Sequence, residues 1–481
     1  MLNKLKYILI LLVLTIPAFW KMLPFGIYSM QDFYLFRLYE FDKCVKALDI
    51  PCRWAPDAGL GYGEPLFNFY GQFSYFIGEI FHLAGGSLIN SVKFTFILSL
   101  VGSAIAMYFL AKSLWKNEYS AVFSSILYLY APYRAVDVWV RGALPEAFAF
   151  IFYPLIILSI EKKNLFYLSL LIFLLIITHN LSFIMFLPFL IIWIIYRKWW
   201  KGFLGFAISL LLSAFYVLPV LFESKFVNLQ STTVGYFDFR AHFITLRQIF
   251  LDLSWGYGGS TWGPIDNVNL SVGLAQWIIP VIIFFLLLLV NKKKESYMQH
   301  TTYYVLFFLG FVYLLLTHNK TAFIWEAVPF MKYIQFPWRF LGLSVFYFSL
   351  ASGILFNVFK NKLFLFLVFV LSAYYILHTT YYFSPDIWFE VKDSYFLTGA
   401  EWDRQRAASI GDFWPNFGHE IPDKPSDGRY INYFPGWVGA EPHGGLIPSG
   451  VVEFKDTPVR ELGNIISLVS FGLLIWKRKH L

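Results

Sequence analysis

The stretch from Leu363 to Phe383 reads LFLFLVFVLSAYYILHTTYYF and contains no Asp, Glu, Lys or Arg. A helix of that length, rising 1.5 Å per residue, covers about 30 Å, the thickness of a bilayer's hydrocarbon core. In lipid every backbone N–H and C=O has to be satisfied within its own segment, so the run predicts a membrane-spanning helix. Ile8 to Phe25, Phe203 to Leu221, and Ile278 to Val290 with its flanks are runs of the same kind. The whole chain of 481 residues is 58% hydrophobic and 14% charged, where soluble domains hold about 45–50% and 25%. These observations predict an all-α polytopic membrane protein.

The short gaps between apolar runs decide how the chain threads the bilayer. Basic residues gather in them, as the positive-inside rule expects of cytoplasmic loops. With Lys4 and Lys6 inside, about twelve helices return the chain each time to a basic cluster. The clusters are Lys112 with Lys116, Lys162 with Lys163, Arg197 to Lys201, Lys292 to Lys294, Lys360 with Lys362, and Lys477 to Lys479. Both termini are then cytoplasmic, and the first helix, with no small-x-small cleavage site after it, is expected to stay on the protein. Residues 66–84 are apolar enough to resemble a further span. Counting them would put every later cluster outside, so they are read as an interfacial or re-entrant helix.

This threading gives a transmembrane domain over 1–383 with large outer loops at 26–87 and 223–270. Shorter outer pieces fall at 133–144 and 318–337. Residues 384–461 change character. Short β-prone stretches, Tyr430 to Phe434 and Val451 to Phe454, lie among Gly, Pro and Asp, the pattern of a small β-rich extracytoplasmic domain. A final transmembrane helix and basic cytoplasmic tail occupy 462–481. The net charge of +8 is accounted for by the inner loops. With no basic domain and no aromatic stacking platform, nothing points to nucleic acid.

The first outer loop carries the densest chemistry. Asp32 follows helix 1 directly and stands either as a helix N-cap or as a carboxylate at the membrane surface. Arg37, Glu40, Asp42 and Lys43 follow on an amphipathic stretch, then Pro51, Cys52, Arg53, Trp54 and the glycine-spaced Gly59, Gly61, Gly63. Cys44 and Cys52 could pair if the loop is external, although spacing alone does not place two Cβ atoms in bonding range. Two thiols without a neighbouring histidine do not suggest a metal site.

The order of these features resembles a known family. Met30-Gln31-Asp32, Pro51-Cys52-Arg53-Trp54 and Gly61-Tyr62-Gly63-Glu64-Pro65-Leu66-Phe67-Asn68-Phe69-Tyr70 are similar to bacterial membrane proteins labelled "6-pyruvoyl-tetrahydropterin synthase-related". Despite the label, these look like polytopic glycosyltransferases of the GT-C type. The resemblance continues through Tyr133, Arg134, Asp137, Arg141 and Glu146, through Thr178-His179-Asn180, and through Gln335 to Phe340. The tail, with Tyr433 to Trp437 and Thr457, Pro458, Arg460, is similar to YfhO-like relatives.

The resemblance implies an enzyme of a bacterial cytoplasmic membrane, working on its outer face. It would move a sugar, with inversion, from a polyprenyl-phosphate donor to a glycan, lipid or protein acceptor. Such a transfer needs a carboxylate for the acceptor's proton and cations for the departing phosphate. Asp32 takes the first role. Arg53, Arg134, Arg141, Arg339 and His179 are the donor-phosphate candidates, because arginine suits an anionic headgroup at an interface. Asp137 and Arg141, four apart, equally suit a simple bridge on a short helix. Glu146, Asp137, Asp238 and Trp255 are the supporting or acceptor-side candidates. Asp238 and Trp255 lie in the long 223–270 loop, where aromatic and acidic residues suit carbohydrate or interface anchoring alike.

Many GT-C enzymes pair two acids in the first loop, whereas Gln31 precedes Asp32 here. A divalent metal, magnesium or manganese, therefore stays open beside a lone-base reading. Two other functions remain: a non-catalytic assembly factor binding glycolipid through the same arginines, and a lipid or sugar flippase. The helix centres are almost free of charge, which argues against coupled transport.

Overall fold

The computed structural model describes residues 2–263, 265–289, 297–359, 361–408, 413–417, 420–439, 445–450 and 452–479. A helix stands at each of the twelve expected positions, but their lengths differ. Six are long and apolar enough to cross a membrane: Leu5–Met22, Leu88–Trp115, Leu144–Glu161, Pro337–Val358, Leu363–Tyr382 and Pro458–Trp476. The count rises to 8 if each of two bent pairs is one span, Lys201–Leu212 with Ala214–Phe226 (69°) and Tyr297–Leu315 with Asn319–Ala327 (90°). Leu165–Thr178, Asn180–Tyr196 and Leu274–Leu289 are shorter apolar helices, and Glu118–Leu129 has 12 residues. The chain is thus built as a multi-pass membrane protein. The figure of about twelve crossings exceeds what helix length alone supports.

Packing separates inner from outer helices. Leu88–Trp115 lies against Leu144–Glu161 and Glu118–Leu129, and Pro337–Val358 is the most enclosed of the spans. Leu363–Tyr382 and Pro458–Trp476 instead expose Leu363, Leu371, Leu468 and Val469. Water would not tolerate apolar surface on that scale, and hydrocarbon does.

The loops sort to the two ends of the bundle. At one end Trp115 accepts from Asn357, Arg197 pairs with Glu161, and Arg478 lies over Phe166. The basic residues Lys292 to Lys294 and Lys360 lie outside the described residues. At the other end the loops 26–87, 133–144, 223–270, 318–337 and 384–461 touch one another. The Tyr28 hydroxyl donates to Val138 O, Tyr257 donates to Ser384 O, and the Gln335 amide donates to Thr232 O.

Residues 66–84 form two short helices, Leu66–Phe69 and Phe73–Leu83. The second has 11 residues, so it covers only about 16 Å and cannot cross. The break centres on Gly71, where any side chain would collide with Thr178 O, 2.2 Å from a built Cβ.

The β-rich character expected of 384–461 reduces to strands of two or three residues. Trp388–Phe389 pairs with Ile27–Tyr28 of the first loop. Tyr430–Asn432 pairs with Leu446–Pro448, and Trp437–Val438 with Glu453–Phe454. Val451, part of one β-prone stretch, lies outside the described residues. Two helices, Asp393–Phe396 and Gly399–Ala407, share the segment. The physical reason is that part of its backbone bonds to the first loop, so its own pairings stop at two strands. Asn432 N donates to Tyr62 O and its side-chain amide to Gly63 O. Gly63, at φ +82°, makes that close approach available and lets Trp54 lie flat over it.

Cys44 and Cys52 form a disulfide, tying the Asp32–Lys46 helix to the glycine-rich loop. Maleimide labelling of the denatured, unreduced protein is expected to add nothing, and labelling after reduction to add two adducts. Labelling before reduction would show that the bond does not form.

Candidate functional site

Asp32 is the first residue of the Asp32–Lys46 helix. The cap position belongs to Gln31 and no side-chain cap hydrogen bond forms, so the N-cap explanation for Asp32 does not apply. Its carboxylate is 3% exposed. One oxygen, Oδ2, accepts from Arg404 Nη2 at 2.5 Å. The other, Oδ1, has no hydrogen-bond partner among the described residues. Burial pushes the carboxyl up and the Arg404 guanidinium opposes it, leaving Asp32 at about 6. Arg404 also bonds Glu401 at 2.9 Å and is 40% exposed, so solvent reaches this ion pair from the Arg404 side.

A second constellation forms around a π-helical turn, Val136–Val140, in which Arg141 N bonds back to Val136 O. Such widened turns recur at functional sites. The turn aims Asp137 and Arg141 at one another, 2.7 Å apart, as their spacing suggested. Arg141 also bonds Glu146 at 2.9 Å, and Tyr133 donates to the other Glu146 oxygen at 2.5 Å. Arg339 has no acid near it in sequence, yet the Leu144–Glu161 helix brings Glu146 to 3.5 Å from its Nε. Cation–π contacts hold both guanidiniums, Arg141 over Trp338 at 4.7 Å and Arg339 over Phe336 at 5.0 Å. His179 sits in the turn beyond Leu165–Thr178 with its Nδ1 2.7 Å from Ser182 Oγ. Burial pushes it down to about 3, against the pull of Glu146. At neutral pH it is therefore an uncharged hydrogen-bonding group.

Other candidates are placed elsewhere. Arg134 has no exposed surface; it donates to Ser103 Oγ at 3.1 Å and stacks on Phe150 at 3.9 Å. Arg53 is buried in a separate network, bonded to Phe215 O at 2.9 Å and Asn464 Oδ1 at 3.1 Å. That network continues through Asn68, Glu223, Thr457 and Arg460. Asp238 caps the Phe239–His242 turn and pairs with Arg240. Trp255 stacks on Tyr382 at 4.5 Å. No contact joins Asp238 or Trp255 to Asp32.

Two residues of the site were not legible as such. Arg37 is half-buried, 4.3 Å over Tyr70 and 5.7 Å over Tyr34, and no carboxylate pairs with it among the described residues. Tyr34 lies within electrostatic reach of both Arg37 and Arg141, which places Arg37 beside the second constellation. Arg404 is the other; nothing in its spacing links it to Asp32.

Two cavities flank these groups. An apolar groove of about 530 Å³ runs between Phe41, Phe73, Phe173, Ile177, Leu468 and Phe471. Arg53 bonds to two of its other lining residues, Phe215 and Asn464. A second cavity, of about 500 Å³, opens beside Arg141 and Trp338. At Asp32 a cation, Arg404, holds one oxygen, and no group of three or more His, Cys, Asp or Glu among the described residues is arranged to hold a metal.

No family model and no curated protein matches the chain. Several solved structures align with it, three of which follow. Arabinofuranosyltransferase AftD from Mycobacteria is 12% identical, with a TM-score of 0.48 over 80% of this chain and 28% of that one. The Archaeoglobus fulgidus oligosaccharyltransferase in its apo form is 12% identical, at 0.45 over 79% and 56%. AglB from the same organism, in complex with an inhibitory peptide and a dolichol-phosphate, is 13% identical, at 0.37 over 79% and 55%. The chain spans well under two thirds of each.

Proposed function

We propose that the protein is a membrane glycosyltransferase, moving a sugar from a polyprenyl-phosphate donor to an acceptor hydroxyl on the extracytoplasmic face of the membrane. The observation that carries this reading is Asp32: a buried carboxylate held at about 6, with one oxygen unpartnered and the other under an arginine that solvent can reach. A general base works best when its pKa lies near the operating pH. The disulfide supports an oxidising, external side for this end of the bundle.

The transfer is a single displacement. Asp32 Oδ1 takes the acceptor's hydroxyl proton as that oxygen bonds to the anomeric carbon. The bond from that carbon to the phosphate oxygen breaks, and the pair of electrons leaves with the polyprenyl phosphate. Arg37, whose charge no carboxylate offsets, and Arg339 meet the developing anion, and neutral His179 supplies a hydrogen bond. The apolar groove accommodates the prenyl chain. Arg404, on Oδ2, lowers the basicity of Oδ1 while the ion pair stays closed. A protein in which that ion pair never opens would bind glycolipid without turnover, and the Arg404 contact is the observation that favours this second reading.

Native mass spectrometry of the protein extracted with its surrounding lipid tests the donor class. A prenyl-phosphate or prenyl-phosphate-sugar adduct is expected on the wild type and is expected to be lost from Arg37→Ala and Arg339→Ala. No prenyl lipid on any of the three would overturn the reading.

A further inference from the structure

The cavity beside Arg141 has no part in the displacement described above. Its walls are Tyr236, Phe237 and Tyr257 from the long loop and Phe336 and Trp338 from the turn that carries Arg339. Gly258 and Gly259 leave backbone exposed along its edge. At about 500 Å³ it falls within the roughly 300–1,000 Å³ usual for small-molecule sites.

Its charge is as informative as its shape. Arg141 is the only charged residue among those that line it, and that guanidinium already meets Asp137 at 2.7 Å and Glu146 at 2.9 Å. Two carboxylates at contact distance compensate the cation, so an anion entering the cavity would gain little. Arginine has five N–H donors, so those not held by Asp137 and Glu146 can still serve a neutral oxygen. The aromatic walls offer flat apolar faces on several sides.

The polar floor is pre-arranged. His242 Nε2 donates to the Tyr236 carbonyl, which leaves Nδ1 to accept the Ser260 hydroxyl at 2.6 Å. Trp338 Nε1 donates to Ser260 Oγ at 3.0 Å. This chain fixes two walls and the floor relative to one another, and Ser260 keeps one lone pair to accept from a ligand hydroxyl. A flat apolar ring face edged with hydroxyls matches that combination of aromatic walls, neutral donors and a hydroxyl acceptor.

We propose that this cavity is a saccharide subsite that holds a neutral sugar ring of the acceptor. The assignment rests on the transferase reading, and it adds an acceptor class: a glycan without charge on the bound residue. Tyr236, 53% exposed, closes over the ring, and Arg141 with Ser260 reads its hydroxyls.

Saturation-transfer NMR on the detergent-purified Asp32→Asn protein tests it without turnover. Maltotriose, chitotriose, mannotriose and an arabinofuranose trisaccharide are offered one at a time, with inorganic phosphate as an anionic competitor. At least one sugar is expected to receive saturation, strongest on one ring, and phosphate is expected not to displace it. Tyr236→Ala and Phe237→Ala are expected to weaken that sugar's affinity by about five- to ten-fold. Tyr381→Ala, an exposed tyrosine away from the cavity, is expected to leave it unchanged. Saturation of none of the four, or equal affinity in Tyr236→Ala, overturns the subsite. Since binding is read in a variant that cannot turn over, sugar contact without prenyl lipid on the wild type would instead fault the donor assignment.

Discussion

Asp32→Asn is expected to lower sugar transfer by about 10²–10⁴-fold, the usual weight of a general base, while the donor lipid stays bound. The readout is conversion of co-purified prenyl-phosphate sugar to free prenyl phosphate, followed by mass spectrometry after acceptor is added. Asparagine fills the same space but takes no proton, so a retained rate would remove Asp32 from the chemistry. The pH dependence carries a sign. In the proposed mechanism Asp32 acts as the carboxylate, which burial against Arg404 leaves at about 6, so the rate is expected to rise with pH through that region and then level. Arg404 is the group that opposes burial. Arg404→Ala therefore moves the rising limb to higher pH, even as it uncovers the carboxylate. A limb that stays in place would mean that the Arg404 contact is absent in the working enzyme.

Glu223→Ala carries the largest expected effect on stability. Both members of the Glu223–Arg460 pair are buried, 2.9 Å apart, and Glu223 also accepts from Asn68 at 2.7 Å and Thr457 at 2.5 Å. Removing the acid leaves Arg460 hydrogen-bonded to the Pro435 and Lys455 carbonyls, with Asp456 acting from farther off, and a buried cation without its ion-pair partner. Breaking a buried pair in this way costs about 3–5 kcal/mol. Thermal unfolding of the detergent-purified variant measures it. Glu223→Ala with Arg460→Met is expected to recover most of the loss, because the stranded charge is gone. If the double variant were no better than the single, packing rather than charge would be the cause.

The sequence shows what is local in this molecule. Apolar runs and the basic gaps between them place the helices, and the four-residue step from Asp137 to Arg141 announces a bond that the structure contains. Charge compensation is not local and does not show. Arg134 and Arg53 read as phosphate ligands, yet each is sealed into its own hydrogen-bond network. His179 reads as a donor-phosphate candidate, and burial pushes it down to about 3. Arg37 passes as one charge on an amphipathic stretch, and its lack of a carboxylate partner among the described residues emerges only once Tyr34 and Tyr70 close around it. The short strands of 384–461 mislead for a similar reason. Asn432, which reads as β-prone, gives its backbone N–H to Tyr62 O on a loop far earlier in the chain.

The reach of Arg404 back to Asp32 spans 372 positions, and it bears on how the molecule is made. A ribosome delivers the carboxylate with the first few dozen residues and the arginine only after most of the helices have entered the membrane. Until the arginine arrives, the Asp32 carboxylate lacks the guanidinium that opposes the upward push of burial. A chain cut short before residue 404 would carry Asp32 without its ion-pair partner. The ion pair therefore joins the first outer loop to a segment made near the end of synthesis.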